Sequence, residues 1–201
     1  MKFFRVLIAV LTVTFIAADA MAITNAQKMQ MHKERQKGKN QDCENSLYKL
    51  NSILRTYAAK NKGFLPNKNN FAGLKSLIAY GAKIEHFSCK AARTKKAKDL
   101  TRLSEESNPY LYFGGINLTQ AAKSCPKLVV ICDKPGSRHL NVLFADGSVG
   151  SIDLKKTTPR ITSAQKLIDY LGKEYKYPAA TLKVMQNKAK SIDQALGLNK
   201  R

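Results

Sequence analysis

Residues 127–154 read KLVVICDKPGSRHLNVLFADGSVGSIDL, and the fold is written most plainly here. Two apolar, β-branched runs at 128–133 and 140–145 are followed by a weaker third at 148–154. Pro135-Gly136 turns the first connection and Asp146-Gly147 the second. Asp-Gly between apolar runs is a strong hairpin signal, because a tight primed turn needs positive φ and glycine supplies it without a steric penalty. The stretch predicts a three-stranded antiparallel meander. Asn141, Leu143 and Ala145 share one face, and Leu140, Val142, Phe144 and Asp146 the other. Gly150 and Ser151 break the alternation of the last strand, which marks a bulge or a close backbone approach. Three strands cannot cover their own apolar face, so helix is expected to lie across it.

The covering helix lies upstream. Cys43, Leu47, Leu50, Leu54 and Tyr57 recur at spacings of four and three, which puts them on one helical stripe and turns Lys49, Arg55 and Lys60 outward. Gly63 ends this helix and Pro66 prevents its prompt return. Residues 23–40 are polar and basic with little periodicity, and read as a solvated helical extension or an arm. A shorter helix is expected over 71–80, capped by Asn70, with Leu74, Leu77 and Ile78 inward and Gly81 at its end. Phe87-Ser88-Cys89 reads as a brief buried crossing. Residues 110–116, YLYFGGI, are aromatic and β-prone and supply a fourth strand candidate.

Downstream, Thr157-Thr158-Pro159 reads as a linker. Ser163 caps a helix running to Leu171 and ended by Gly172. Pro178 opens another, in which Leu182, Met185, Ala189, Ile192 and Leu196 keep three-four spacing. That stripe is too short for a free coiled coil, so packing onto the domain is the first expectation and docking to a partner the second.

Residues 1–22 have the plan of a secretory signal peptide. Lys2 and Arg5 form a positive start, residues 6–17 are continuously apolar, and Ala18-Asp19-Ala20 and Ala20-Met21-Ala22 are small-residue cleavage triplets. The apolar run is short of the roughly 20 residues of a membrane span. The expectation is export to the periplasm, the cell surface or the medium; an uncleaved leader would instead tether the protein to the inner membrane. In an oxidising compartment the four cysteines, Cys43, Cys89, Cys125 and Cys132, favour two disulfides. Extended chain between Cys125 and Cys132 spans about 20 Å at ~3.3 Å per residue, which disfavours a bridge between them. The remaining choices tie the helix carrying Cys43 to a later segment, and the sequence does not select between them. A zinc site combining these thiols with His139 is the alternative, though the ligand-pair spacing of structural zinc sites is missing.

Charge bears on partners. Lys and Arg number 35 against 14 Asp and Glu, a net +21 over 201 residues with a pI near 9.9. Such a balance favours anionic surfaces: nucleic acid, lipid headgroups or acidic polysaccharide. Lys90, Arg93, Lys95, Lys96, Lys98 and Arg102 form a dense run against Asp99 alone. A solvated loop accounts for the run more simply than a dedicated anion site, and these six residues are the anion-binding candidates. Tyr110, Tyr112 and Phe113 could stack on bases or sugars, but in a chain without tryptophan they read first as core.

Catalysis has little support. His32, His86 and His139 are the three histidines, and none falls in a metal or nucleophile motif. Gly-rich phosphate loops, paired-carboxylate motifs and Gly-x-Ser-x-Gly elbows are missing. His139 reads first as a structural hydrogen-bonding residue for the 135–140 loop, and Asp146 first as a turn residue. Calcium at Asp133 or Asp146 would need several convergent oxygens.

The order of elements resembles a known family. CENSLYKLNSILRTYAAKNKGFLP at 43–66, FSCK at 87–90, YLYFGG at 110–115 and DKPGSRHLNVLFADGSV at 133–149 are similar to the prepilin-like, processing-associated proteins of bacteria. These carry a C-terminal histidine, a spacer and Asp-Gly, and are related to type II secretion pseudopilins and type IV pilins. His139, Asn141, Phe144, Asp146 and Gly147 match that signature; Cys43, Tyr57, Pro66 and Cys89 match the earlier pattern. Here only residues 140–145 separate the histidine from Asp-Gly, a shorter spacer than is usual in the family. A prepilin leader also places glycine before its scissile bond, and no glycine precedes Gly38.

The resemblance, which covers roughly 42–152, implies an α+β, pilin-like fold, a long helix packed on a small antiparallel sheet, to which the downstream spacing adds extra C-terminal helices. Residues 23–41 would be a basic extension, 42–156 the pilin-like domain and 157–201 a helical appendage. It also implies a non-enzymatic role, without cofactor or metal, in a bacterial envelope or surface assembly related to type II secretion or type IV pili. The alternative is an exported basic protein that binds DNA or anionic polysaccharide.

Overall fold

The computed structural model describes residues 25–89, 92, 94, 96–135, 140–157 and 159–198. The leader expected over 1–22 lies outside them. The chain is α+β. Helix α1, Asn25–Lys60, is followed by a one-turn α2, Asn70–Leu74, that tightens into a 3₁₀ segment, Lys75–Tyr80. Strand β1, Tyr110–Tyr112, leads to α3, Leu118–Ser124, and then to β2, Val129–Asp133, β3, Leu140–Phe144, and β4, Val149–Ile152. Helices α4, Ala164–Glu174, and α5, Ala179–Leu196, complete the described chain.

The four strands form one antiparallel sheet in the order β1-β2-β3-β4. The Asp-Gly hairpin pairs Leu143 with Val149 and Leu140 with Ile152, and Gly147 takes φ +89° as the turn requires. The irregularity lies between Val129 and Ile131, where β2 slips against β3. The break anticipated at Gly150 does not form; its pairing with Val142 stays in register, and a Cβ there would sit 3.0 Å from the Phe144 ring. Gly150 is needed for close approach rather than for a bulge.

Two compact units are recognised, residues 1–38 and 39–201. In the first, the described part is the start of α1, where residues 27–35, 37 and 38 are all exposed. The basic stretch is thus helical, the solvated extension among the two readings of its sequence.

In the second unit the stripe Cys43, Leu47, Leu50 and Leu54 is at most 1% exposed, Tyr57 is half-buried, and Lys49, Arg55 and Lys60 are exposed. Each leucine so removed from water contributes about 1.5–3 kcal/mol. This stripe covers one sheet face. The other face is covered too: the Phe144 ring stands edge-on to Tyr175 at 5.3 Å, and the Tyr177 hydroxyl donates to Lys127 O at 2.6 Å while accepting from Val129 N at 3.1 Å. Every residue of β2 and β3 is therefore buried, and period-two alternation no longer separates a wet face from a dry one. The C-terminal helices share one apolar core with the sheet, through Leu167, Leu171, Met185, Ala189 and Ile192 among others.

Three local expectations are corrected. Asn70 does not cap α2 but sits within it at φ +53°; Asn69 stands at the cap and spends its side chain accepting from Gly114 N at 2.9 Å. The 71–80 helix is α for only one turn before it tightens to 3₁₀. Gly172 lies inside α4 rather than ending it, because Leu182 of α5 packs where a Cβ would stand, 2.6 Å away. Ser163 caps α4 as expected, its Oγ accepting from Lys166 N at 3.2 Å.

Candidate functional site

Two of the signature residues of the meander, Asn141 and Gly147, lie at the seam between β3 and α1. Asn141 is fully buried because its β3 position faces the helix; its Nδ2 donates to Asn40 Oδ1 at 2.9 Å and its backbone N–H to Asp133 Oδ2 at 2.7 Å. At the other end of the strand, Arg55 Nη2 donates to Ala145 O at 3.3 Å and Asn51 Nδ2 approaches Gly147 O at 3.5 Å. Arg55 is itself oriented by Nε donating to Asn51 Oδ1 at 3.2 Å. The turn's positive φ requires glycine at 147, and a Cβ there would lie 2.6 Å from the Arg55 guanidinium, so any side chain would also displace the docked arginine. The signature strand is clamped to α1 at both ends.

Asp146 stabilises its own corner. Its Oδ1 accepts from Ser148 N at 2.8 Å and Ser148 Oγ at 2.6 Å, and its Oδ2 pairs with Lys127 Nζ at 2.9 Å. Although partial burial opposes it, hydrogen bonds from Ser148 and the adjacent Lys127 hold the Asp146 carboxyl below the usual range. Lys127 also lies 5.3 Å above the centroid of Phe144, whose ring belongs to the opposite face of the sheet. His139, the remaining member of the signature, lies outside the described residues.

The structure forms one disulfide, Cys43–Cys89, with 5.0 Å between Cα atoms; Cys125 and Cys132 are buried free thiols. The expectation of two bridges is corrected accordingly. Burial pushes both thiols up, Cys132 well above its ordinary value, so neither is activated toward exchange. Tyr110 packs close to the bridge, its hydroxyl 3.4 Å from Ser88 O. Tyr110, Tyr112 and Phe113 are fully buried, as core reading requires, and Tyr112 donates to Pro66 O at 2.8 Å.

Asp133, weighed from the sequence only as a calcium ligand, is a buried acid, which that reading did not foresee. It is 1% exposed at the end of β2, and burial, reinforced by nearby Glu44 and opposed by the Asn141 N–H, pushes its pKa up to about 7. Its hint in the sequence is a charged residue closing an otherwise apolar strand. Such a residue is usually a strand-end turn former, and only the helix laid across it makes it buried.

Of the six basic candidates, Lys90, Arg93 and Lys95 lie outside the described residues. Lys96 and Lys98 are exposed on a cleft of about 480 Å³ that Arg102, Ser104, Glu106 and Ser107 also line. Arg102 is paired with Asp99 at 3.6 Å, and the Asp99 carboxylate caps the short 3₁₀ turn Leu100–Arg102. Among the described residues no group of three His, Cys, Asp or Glu side chains could hold a metal ion. None of the described helices is long and apolar enough to cross a membrane. No protein-family model, no curated protein and no solved structure matches this chain.

Proposed function

We propose that this protein is a non-enzymatic, pilin- or pseudopilin-like component of a bacterial envelope or surface assembly. The observation that carries the reading is the two-ended clamp between the signature strand and α1, Asn141 on Asn40 at one end and, at the other, Arg55 on Ala145 O and Asn51 on Gly147 O. Two of the residues that match the family signature, Asn141 and Gly147, lie in the joint between helix and sheet, where a structural subunit needs specified residues. The Cys43–Cys89 bridge supports the reading further, since disulfides persist in exported proteins.

The test is a photocrosslinker placed at Tyr48, exposed on α1, in the full-length protein in its own cells. The expected outcome is envelope fractionation with adducts to envelope proteins. Recovery of uncrosslinked protein from the cytoplasm overturns the reading.

A second reading, binding of DNA or anionic polysaccharide, is favoured by Lys96 and Lys98, exposed on their cleft, and by the exposed basic start of α1. Phosphate-dominated binding weakens with salt at a slope of about 0.9 per neutralised phosphate. Duplex DNA that fails to bind even at low ionic strength removes DNA from this reading.

A further inference from the structure

Helices α3 and α5 flank a solvent-open cavity of about 330 Å³ that plays no part in the clamp. Its walls are mostly apolar, with Ile116 and Leu128 from the sheet side and Val184 and Met185 from α5. At one rim stands Lys188. Its Nζ donates to Gly114 O at 2.7 Å and lies beside Gly115, which also lines the cavity. No acidic side chain lines the cavity, and among the described residues no carboxylate pairs with this ammonium. Of the uncharged polar side chains in the lining, Asn117, Gln120, Ser124 and Thr181, two bond within α3, Asn117 accepting from Gln120 N and Ser124 donating to Gln120 O. Partial burial lowers the Lys188 pKa, the mark of a cation that has lost water without gaining a counter-ion.

An apolar slot with a single unpaired positive charge at its mouth has the chemistry of a small-ligand site, and its volume is at the low end of such sites. That size suits a slender chain rather than a peptide helix. We propose that this cavity binds a medium-chain alkyl monocarboxylate, with the tail between Val184, Met185 and Leu128 and the carboxylate on Lys188 Nζ. The ligand supplies the missing counter-charge where water is partly excluded, and a charge-assisted hydrogen bond is strongest there. Cys125 in the wall serves as a reporter, since the other unbridged thiol, Cys132, is fully buried.

The experiment titrates the full chain with decanoate by calorimetry, below its micelle concentration, and follows maleimide labelling of Cys125. One saturable site is expected, with labelling slowed by decanoate and affinity reduced about tenfold or more for Lys188→Met and for neutral decanol. Ala180→Trp, at an exposed position on the rim, is expected to abolish binding without lowering the thermal midpoint, which keeps the test sound should Lys188→Met fold poorly. Lack of saturation, equal affinity for decanol and decanoate, or saturable binding that leaves Cys125 labelling and the Ala180→Trp variant unaffected overturns the proposal.

Discussion

Asp133 shows how a single carboxyl is put at odds with its surroundings. Its folded pKa of about 7 lies above the ordinary 3.8, so between those values the folded chain holds a proton that the unfolded chain has released. The associated stability is fully present below the unfolded value and is lost as pH rises through the folded one, at about 1.4 kcal/mol per pH unit. His86, whose pKa burial lowers, contributes with the opposite sign; comparing wild type with a variant at Asp133 cancels it. Urea unfolding is therefore expected to show wild type losing about 2–3 kcal/mol relative to Asp133→Asn between pH 5 and pH 7.5. Parallel pH profiles would show that the acid is not held protonated. Gly147 is the second residue whose identity is dictated. With φ at +89° and Arg55 against it, Gly147→Ala is expected to cost about 1–2 kcal/mol in the same assay, and Gly81→Ala, at φ +90° with open space around it, only the backbone part of that. Equal losses at the two sites would mean that the docked arginine adds nothing.

At the scale of elements, buried caps and a single covalent tie hold neighbours together. Asp193 of α5 is fully buried and accepts from Ala164 N at 2.7 Å and Gln165 N at 3.0 Å, so one helix caps the start of another. Asp193→Ala leaves two amides without their carboxylate and is expected to cost about 2–4 kcal/mol, with amide exchange accelerating first in α4. An unchanged exchange pattern would show the cap to be dispensable. The Cys43–Cys89 bridge links α1 to the segment after the 3₁₀ turn Ile84–Phe87, across a sequence separation of 46. Cys43→Ser with Cys89→Ser is expected to lower stability by about 2–4 kcal/mol. A thermal midpoint insensitive to the double substitution would demote the bridge to ornament. The sequence placed both cysteines correctly on a helix and a crossing, but its count of two bridges failed. Pairing depends on which segments fold adjacent, and that is a tertiary property.

At the scale of the whole molecule, residues 27–35, 37 and 38 are exposed, while the core belongs to 39–201. Removing residues 1–38 is expected to leave the unfolding free energy of the remainder, extrapolated to water, within about 10–15% of the full chain's, the uncertainty of the extrapolation itself. A larger drop would reveal a contribution to the core from the removed segment. What the sequence determined by itself was the local grammar: the meander from its Asp-Gly corner, the helical stripe from three-four spacing, the cap at Ser163 and the buried aromatics. Each of these depends on a few neighbouring residues and on backbone geometry that glycine, proline and short polar side chains impose. Only the tertiary structure decided that both sheet faces are covered, that Gly172 lies within a helix against Leu182, and that Asp133 titrates near neutrality. Those outcomes depend on which distant segment comes to rest against each position. Burial changes both the cost of a charge and the room for a side chain, and no local pattern records it.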